Sequence, residues 1–181
     1  MTTVIQITSH TTPTMKKLLH LLVAAVTVAV SFGAAAQASL TEAQARAAIA
    51  PWYAMFNQPF QGDVAAQHEK AVAADYKTCW QPEDVPGGCW GKEQSIKTIA
   101  NFAKTVPDMK FEIKEVLVAG NRVIVRGEVT GTPSGDFFGV PHGGKGFKIL
   151  AIDIQTIQDG KIAQTYHLEN WLLGLGQLRA K

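Results

Sequence analysis

The sequence predicts an α+β domain in which helices come first and antiparallel strands follow. Residues 40 to 105 carry apolar side chains at helical spacing, whereas residues 109 to 170 alternate apolar and polar side chains as strands do. Two dipeptides typical of tight turns, Gly120-Asn121 and Asp159-Gly160, separate strand-like segments. A parallel sheet would instead place a helix between successive strands.

Three helices are predicted before the strands. The first runs from 40 to about 59, and Thr41 with Gln44 has the spacing of a capping box at its start. Asp63 begins the second helix, which extends to about residue 74, and the third spans 92–104. The first helix presents an apolar and aromatic face made of Ile49, Trp52, Tyr53 and Phe56.

Four strands and a short final helix complete the predicted domain. A loop rich in Gly and Pro over 133–146 divides the strands into two pairs, and residues 171–178 form the helix. The predicted strands are Met109 to Ala119, Arg122 to Thr132, Phe147 to Gln158, and Lys161 to Asn170.

The first 38 residues have the pattern of a secretory signal peptide. Lys16 and Lys17 precede an apolar run over 18–36, and Ala36-Gln37-Ala38 is a small-x-small exit. A membrane anchor is the alternative, because the run approaches the ~20 residues that span a bilayer. We expect translation to start at Met15, cleavage near Ala38, no membrane insertion afterwards, and a periplasmic or secreted domain over 39–181.

The charge balance argues against two classes of partner. The chain carries 17 basic and 15 acidic residues. Removing the leader removes Lys16 and Lys17 and no acidic residue, so the formal net charge falls from +2 to about zero. Nucleic acids and anionic membrane surfaces are bound by clustered Lys and Arg. We therefore expect neither as a partner.

The two cysteines, Cys79 and Cys89, flank a loop rich in Pro and Gly. In an oxidising compartment such a pair forms a disulfide across residues 80–88. Two free, buried thiols are the alternative. Two cysteines without further Cys or His pairs make a poor zinc site, so no metal is expected.

Asp153 is the chemical candidate that stands out. The sequence has no GxGxxG, GxxxxGK[ST], GxSxG or HExxH motif. Asp153 lies mid-strand between apolar residues, on the face predicted for Phe147, Ile149 and Ala151. A buried carboxylate must be hydrogen-bonded, paired or protonated. It therefore acts either as a general acid or base or as a structural partner of a neighbouring Arg, Tyr or amide.

The turn at Asp159-Gly160 decides which side chain faces Asp153. A two-residue turn pairs Gln158 with Lys161 and places Tyr166 opposite Asp153, where its hydroxyl could donate a hydrogen bond. A bulge shifts the register by one residue and places His167 there instead. Both remain catalytic candidates, and a structural histidine is the simpler alternative for His167.

The strand region resembles the SnoaL-like polyketide cyclase family, also called ester cyclases. The resemblance covers about 64–178. It implies the cone-shaped fold of the nuclear transport factor 2-like superfamily, a curved sheet over helices with an apolar pocket. The similar motifs are Gly131-Thr132-Pro133-Ser134-Gly135-Asp136-Phe137-Phe138-Gly139-Val140-Pro141, Gly144-Lys145, Ile152-Asp153-Ile154 and Asp159-Gly160-Lys161-Ile162.

The resemblance also implies a chemistry. In the family, an aspartate at the position of Asp153 is the general acid and base of an intramolecular aldol condensation, with no metal or organic cofactor. Pro133 stands where the family commonly has His, and His142 is a nearby histidine. The substrate-binding candidates are Trp52, Phe56, Phe138 and His142; ordinary core packing is the alternative for the first two, and an exposed loop position for His142.

Two functions of different classes follow. The first is an exported cyclase or isomerase that uses Asp153 on a small, apolar carbonyl compound. The alternative is a periplasmic binding or assembly module of the same fold, which the proline at 133 and the leader favour. Epoxide hydrolysis would need two carboxylates with an Arg between them, and only Asp153 is well placed for that role. The strand that begins at Met109 is expected at an edge of the sheet, where two copies of the chain could pack into a homodimer.

Overall fold

The computed structural model describes residues 39–57, 63–141 and 143–180, which form four helices and a six-stranded curved sheet. The α+β class predicted from the sequence is confirmed. The predicted leader lies outside the described residues. The helices are α1 (Glu42–Ala54), α2 (Val64–Ala71), α3 (Lys92–Thr105) and α4 (Trp171–Arg179); the strands are β1 (Val72–Cys79), β2 (Cys89–Gly91), β3 (Lys110–Ala119), β4 (Arg122–Gly131), β5 (Phe147–Gln158) and β6 (Lys161–Glu169).

The sheet has the strand order β2-β1-β6-β5-β4-β3. Its neighbours are antiparallel except β1 and β6, which are parallel. The expectation of a purely antiparallel sheet is therefore wrong for β1, which is parallel to β6. The expectation that the strands follow the first three helices is wrong for β1 and β2, which precede α3. The sequence Val-Ala-Ala-Asp-Tyr-Lys-Thr-Cys of β1 does not alternate strictly between apolar and polar residues, so the period of a half-buried strand is absent from it.

The helix starts follow the sequence signals closely. Thr41 and Gln44 form the predicted capping box at the start of α1, where each side chain satisfies the other residue's backbone N–H. Asp63 accepts a hydrogen bond from the backbone N–H of Ala65 and caps α2. The helix ends fit less well, since α2 gives way to β1 at Val72, three residues before the predicted end. In the part of the chain that the structure describes, no helix is long and apolar enough to cross a membrane.

One face of the sheet packs against the helices and forms the core. Along β5, the odd-numbered residues from Phe147 to Ile157 are buried, as strand alternation predicts. Two of these inward-facing positions hold polar side chains, Asp153 and Gln155. The apolar face of α1 supplies the opposing surface through residues such as Ile49, Trp52 and Tyr53. The fold therefore places a carboxylate in a largely apolar interior.

Gly127→Ala is expected to destabilise the protein by about 1–3 kcal/mol, because it overpacks the core. A Cβ atom at Gly127, in β4, would lie 2.2 Å from Cε1 and 2.4 Å from Cζ of Phe111. The free energy of unfolding in urea measures the effect. Gly135→Ala is the matched control, because a Cβ atom there meets no atom within 4 Å. Equal stability of the two variants would contradict the close packing of β4 against Phe111.

Candidate active site

A bulge in the β5–β6 hairpin decides which residue faces Asp153. The turn at Asp159-Gly160 has two residues, and Gln158 pairs with Lys161. The register then shifts between Ile157 and Thr156, so Asp153 pairs with His167 and not with Tyr166. Of the two registers that the sequence left open, the structure therefore has the bulged one, although the extra residue lies inside β6 and not in the turn.

Both carboxylate oxygens of Asp153 are hydrogen-bonded. The Tyr53 hydroxyl donates to Oδ2 over 2.6 Å, and Nδ1 of His167 lies 2.6 Å from Oδ1. The Gln155 side-chain amide in turn donates to the Tyr53 hydroxyl over 3.3 Å. Only 1% of Asp153 is exposed. These donors provide the partners that a carboxylate needs in an apolar interior.

His167 lies between two carboxylates. Its Nε2 atom is 3.4 Å from Oε2 of Glu169, on the side of the ring opposite Asp153. Burial alone would lower the pKa of His167, but the negative charges of Asp153 and Glu169, with hydrogen bonds to both, raise that pKa well above its usual value. At neutral pH the ring is therefore an imidazolium that donates a proton toward each carboxylate.

Tyr53 is a neutral hydrogen-bond donor at neutral pH. Burial, followed by the negative charge of Asp153, raises the pKa of Tyr53 well above its usual value. Asp153 is thus held between a phenol and an imidazolium. Both neighbours stabilise a negative charge at this point.

This polar group lies in the wall of an apolar pocket of about 120 Å³. Asp153, His167 and Glu169 all line it. Half of the other lining residues are aromatic: Trp52, Phe56, Trp80, Trp90, Phe102 and Phe111. The arrangement combines a charged, hydrogen-bonded group with an aromatic surface of the kind that suits flat, apolar ligands.

A disulfide supports one part of the aromatic wall. Cys79 in β1 and Cys89 in β2 are bonded to each other, which is the first of the two alternatives given for them. Each cysteine is followed by a tryptophan, and the rings of Trp80 and Trp90 lie 3.7 Å apart between centroids. The disulfide therefore holds together the two short segments that bring Trp80 and Trp90 to the pocket.

A second histidine, His68, lies behind the pocket wall. It is fully buried, and its Nε2 atom is 3.0 Å from Oγ of Ser95. Burial, followed by the positive charge of Lys92, lowers the pKa of His68 to about 4, so its ring is neutral at physiological pH. The ring meets Trp52 and Tyr76 edge to face, with centroids 5.5 Å and 5.4 Å away. His68 thus supports Trp52.

The structure brings some of the predicted site residues together. Asp153 and His167 are in contact, and Trp52 and Phe56 line the same pocket. The predicted ligand contact His142 lies outside the described residues.

Two predicted site residues lie elsewhere. The Tyr166 hydroxyl donates to Glu83 on the opposite face of the sheet, a consequence of the bulge in β6. Phe138 is 59% exposed, and its positive φ of 47° marks the tight turn that directs it away from the pocket, where it meets Phe137 and Trp171. Neither is placed for the role predicted for it.

Sequence reasoning missed Tyr53, Glu169 and the pair of tryptophans after the cysteines. Glu169 follows His167 by two residues on one strand, so alternation could have placed both on one face once His167 was chosen. Tyr53 was assigned to the apolar face of α1, and nothing local in the sequence indicates that its hydroxyl meets a strand 100 residues away.

Comparison with known proteins identifies a matching family and several solved structures with a similar fold. The family model described as SnoaL-like polyketide cyclase matches residues 51–178. No curated protein matches the sequence. TsrD from Streptomyces laurentii has a similar structure, with a TM-score of 0.65, 24% identity, and coverage of 78% of this chain and 99% of that one.

Two further solved structures are similar. IdmH from Streptomyces antibioticus, a proposed polyketide cyclase, gives a TM-score of 0.62 at 24% identity, covering 74% of this chain and 96% of its own. A proposed polyketide cyclase from Bacillus cereus gives a TM-score of 0.56 at 28% identity, covering 72% of this chain and 77% of its own. The fold is thus shared along nearly the whole described domain.

Proposed function

The chain belongs to the SnoaL-like polyketide cyclase family, and from this premise we propose that it is an exported enzyme that moves a proton at the carbon beside a carbonyl group. The substrate is a small apolar compound, and the reaction is an aldol cyclisation or an isomerisation. The observation that carries the proposal is the Asp153 carboxylate, held by Tyr53 and His167 in the wall of an aromatic pocket.

Asp153 acts as the base. Its carboxylate takes the proton from the α-carbon, the electron pair of that C–H bond forms the enolate, and the carboxylate becomes neutral. The positive charge of His167 then lacks part of its counter-charge and stabilises the enolate oxygen. In an aldol cyclisation the enolate carbon attacks a second carbonyl of the same molecule, and Asp153 returns its proton to the resulting alkoxide.

Glu169 acts through His167. Its carboxylate lies beyond Nε2 of the ring, and only 14% of its side chain is exposed. A negative charge at this place keeps the imidazole protonated while Asp153 changes between its charged and neutral forms. Glu169 is therefore a positioning residue, and the base itself is Asp153.

Two observations support export. The leader pattern of the first 38 residues is that of a secretory signal peptide. The Cys79–Cys89 disulfide is of a kind that persists in oxidising compartments. Both features are typical of periplasmic or secreted proteins.

The keto–enol interconversion of benzoylacetone tests the proposal, because it requires proton transfer at a carbon between two carbonyl groups. The enol absorbs in the ultraviolet, so its decay after dilution into water gives the rate directly. We expect the purified protein to accelerate this decay, with a rate that saturates as benzoylacetone is raised. Asp159→Asn should behave as wild type, because Asp159 lies in the exposed β5–β6 turn and asparagine tolerates its φ of 51°.

A binding module without catalysis is the alternative, and the near-complete burial of Asp153 favours it. Benzoylacetone would then bind to the pocket and its enol would decay at the rate seen in buffer. That pair of results would overturn the enzymatic proposal and support the binding module.

A further inference from the structure

The lining of the pocket carries a net negative charge. The charged side chains in its lining are Asp153, His167 and Glu169, which together carry a net charge of −1 when His167 is protonated. Among the described residues that line the pocket, none is Lys or Arg. An anionic group that entered would leave water and meet a net negative charge, because the one cationic side chain of the described lining, His167, is already paired with Asp153 and Glu169.

The pocket is also small. Its volume of about 120 Å³ is close to the ~150 Å³ of an engineered apolar cavity that binds benzene. One aromatic ring fills such a space, whereas a fused system of three rings is larger than it and would extend beyond its walls. The walls that set this limit are large ring systems, among them Trp52, Trp80 and Phe111, so a ring-shaped ligand finds flat surfaces on several sides.

We propose that the substrate is an uncharged carbonyl compound with a single ring at its reactive end, and not a fused polycycle or a carboxylate. This inference rests on the proposed function for the reactive group and names the substrate class of that same pocket. It sets this chain apart from an enzyme that encloses a polycyclic intermediate. A substrate carried on a phosphate-bearing carrier is disfavoured for the same reason as a carboxylate.

Equilibrium dialysis against three β-diketones tests the proposal. Benzoylacetone has one uncharged ring, its para-carboxylate derivative adds one negative charge, and its anthracene analogue replaces one ring with three fused rings. We expect benzoylacetone to bind at least about tenfold more tightly than either, a difference of about 1.4 kcal/mol in each case. Hydrophobicity alone would favour the anthracene compound, so size and hydrophobicity predict opposite orders.

Glu169→Gln separates the charge argument from the size argument. It removes one negative charge from the lining and keeps the shape of the side chain. We expect the para-carboxylate compound to bind several-fold more tightly to this variant, while the anthracene compound gains nothing. An unchanged preference against the para-carboxylate would overturn the charge argument.

The outcomes for the two proposals are distinct. Tighter binding of the anthracene analogue, or equal binding of all three compounds, would overturn the single-ring inference even if the protein accelerates enol decay. Failure of all three to bind would overturn it as well. Selective binding of benzoylacetone with no acceleration of its enol decay would uphold the substrate class and overturn the enzymatic function instead.

Discussion

Asp153→Asn is expected to lower the acceleration of benzoylacetone enol decay by at least about 100-fold, the size of effect that a positioned general base contributes. Asparagine has nearly the same shape, but its amide cannot take a proton from carbon. Because the pocket walls are unchanged, the dissociation constant of benzoylacetone should stay within a few-fold of the wild-type value. The combination of lost rate and retained binding identifies Asp153 as the proton carrier.

Two controls accompany this variant. Asp159→Asn makes the same chemical change in the exposed turn of the same hairpin and should keep the wild-type rate. Tyr53→Phe removes one donor to Asp153 and leaves the carboxylate in place, so a smaller loss, about tenfold, is expected. It also keeps the test informative should Asp153→Asn fold poorly. A rate above one-tenth of wild type in a folded Asp153→Asn protein would rule out Asp153 as the base.

His167→Asn is expected to destabilise the protein by about 3 kcal/mol near pH 6. The variant keeps an N–H donor near the position of Nδ1 but removes the positive charge between Asp153 and Glu169. Removing one partner of a buried ion pair costs about 3–5 kcal/mol. The lower end applies here, because the His167 side chain is 36% exposed and solvent screens part of the interaction. The free energy of unfolding in urea measures the loss.

The pH dependence of this loss follows from the raised pKa of His167. A group whose pKa is higher in the folded state adds stability that is fully present below its unfolded value, about 6.5, and that is lost as pH rises through the folded value. The difference between wild type and His167→Asn should therefore be largest below about pH 6.5 and decrease in alkaline solution.

Tyr166→Phe provides the comparison for His167→Asn. Tyr166 is the neighbouring residue in β6, but its side chain lies on the other face of the sheet and meets Glu83. Its effect on stability should be small and the same from pH 6 to pH 8, and it should leave enol decay unchanged. A pH-independent difference for His167→Asn would show that the imidazole is not charged between the two carboxylates.

That Asp153 shares a face with Phe147, Ile149 and Ala151 could be predicted from the sequence, because successive side chains of a strand alternate between its two faces. Its partners could not be predicted so directly. His167 faces Asp153 only because of one extra residue within β6. Unbroken alternation from Ile162 would instead place Tyr166 and Leu168 on the inner face, whereas Leu168 is 68% exposed in the structure. Tyr53 reaches Asp153 across the core, and such a contact depends on how α1 packs on the sheet.

The elements predicted well are those with local signals. The caps at Thr41 and Asp63 and the turn at Asp159-Gly160 each use a few neighbouring residues, and each is found in the structure. The strand β1 depends on a long-range parallel contact with β6, and its residues do not alternate strictly. The tryptophans of the pocket wall follow cysteines whose pairing places them. Long-range geometry, more than composition, limited the prediction of the site.

Part of the pocket wall depends on a covalent step, the formation of the Cys79–Cys89 disulfide. Strand β2 has only three residues at the edge of the sheet, and the bond from Cys89 to Cys79 ties it and Trp90 to β1. By closing this loop the bond lowers the conformational entropy of the unfolded chain, which stabilises the folded state by about 3 kcal/mol. Reduced protein thus lacks the covalent support of two pocket tryptophans. The support of this part of the pocket wall is therefore acquired after synthesis and depends on the thiol chemistry of the surroundings.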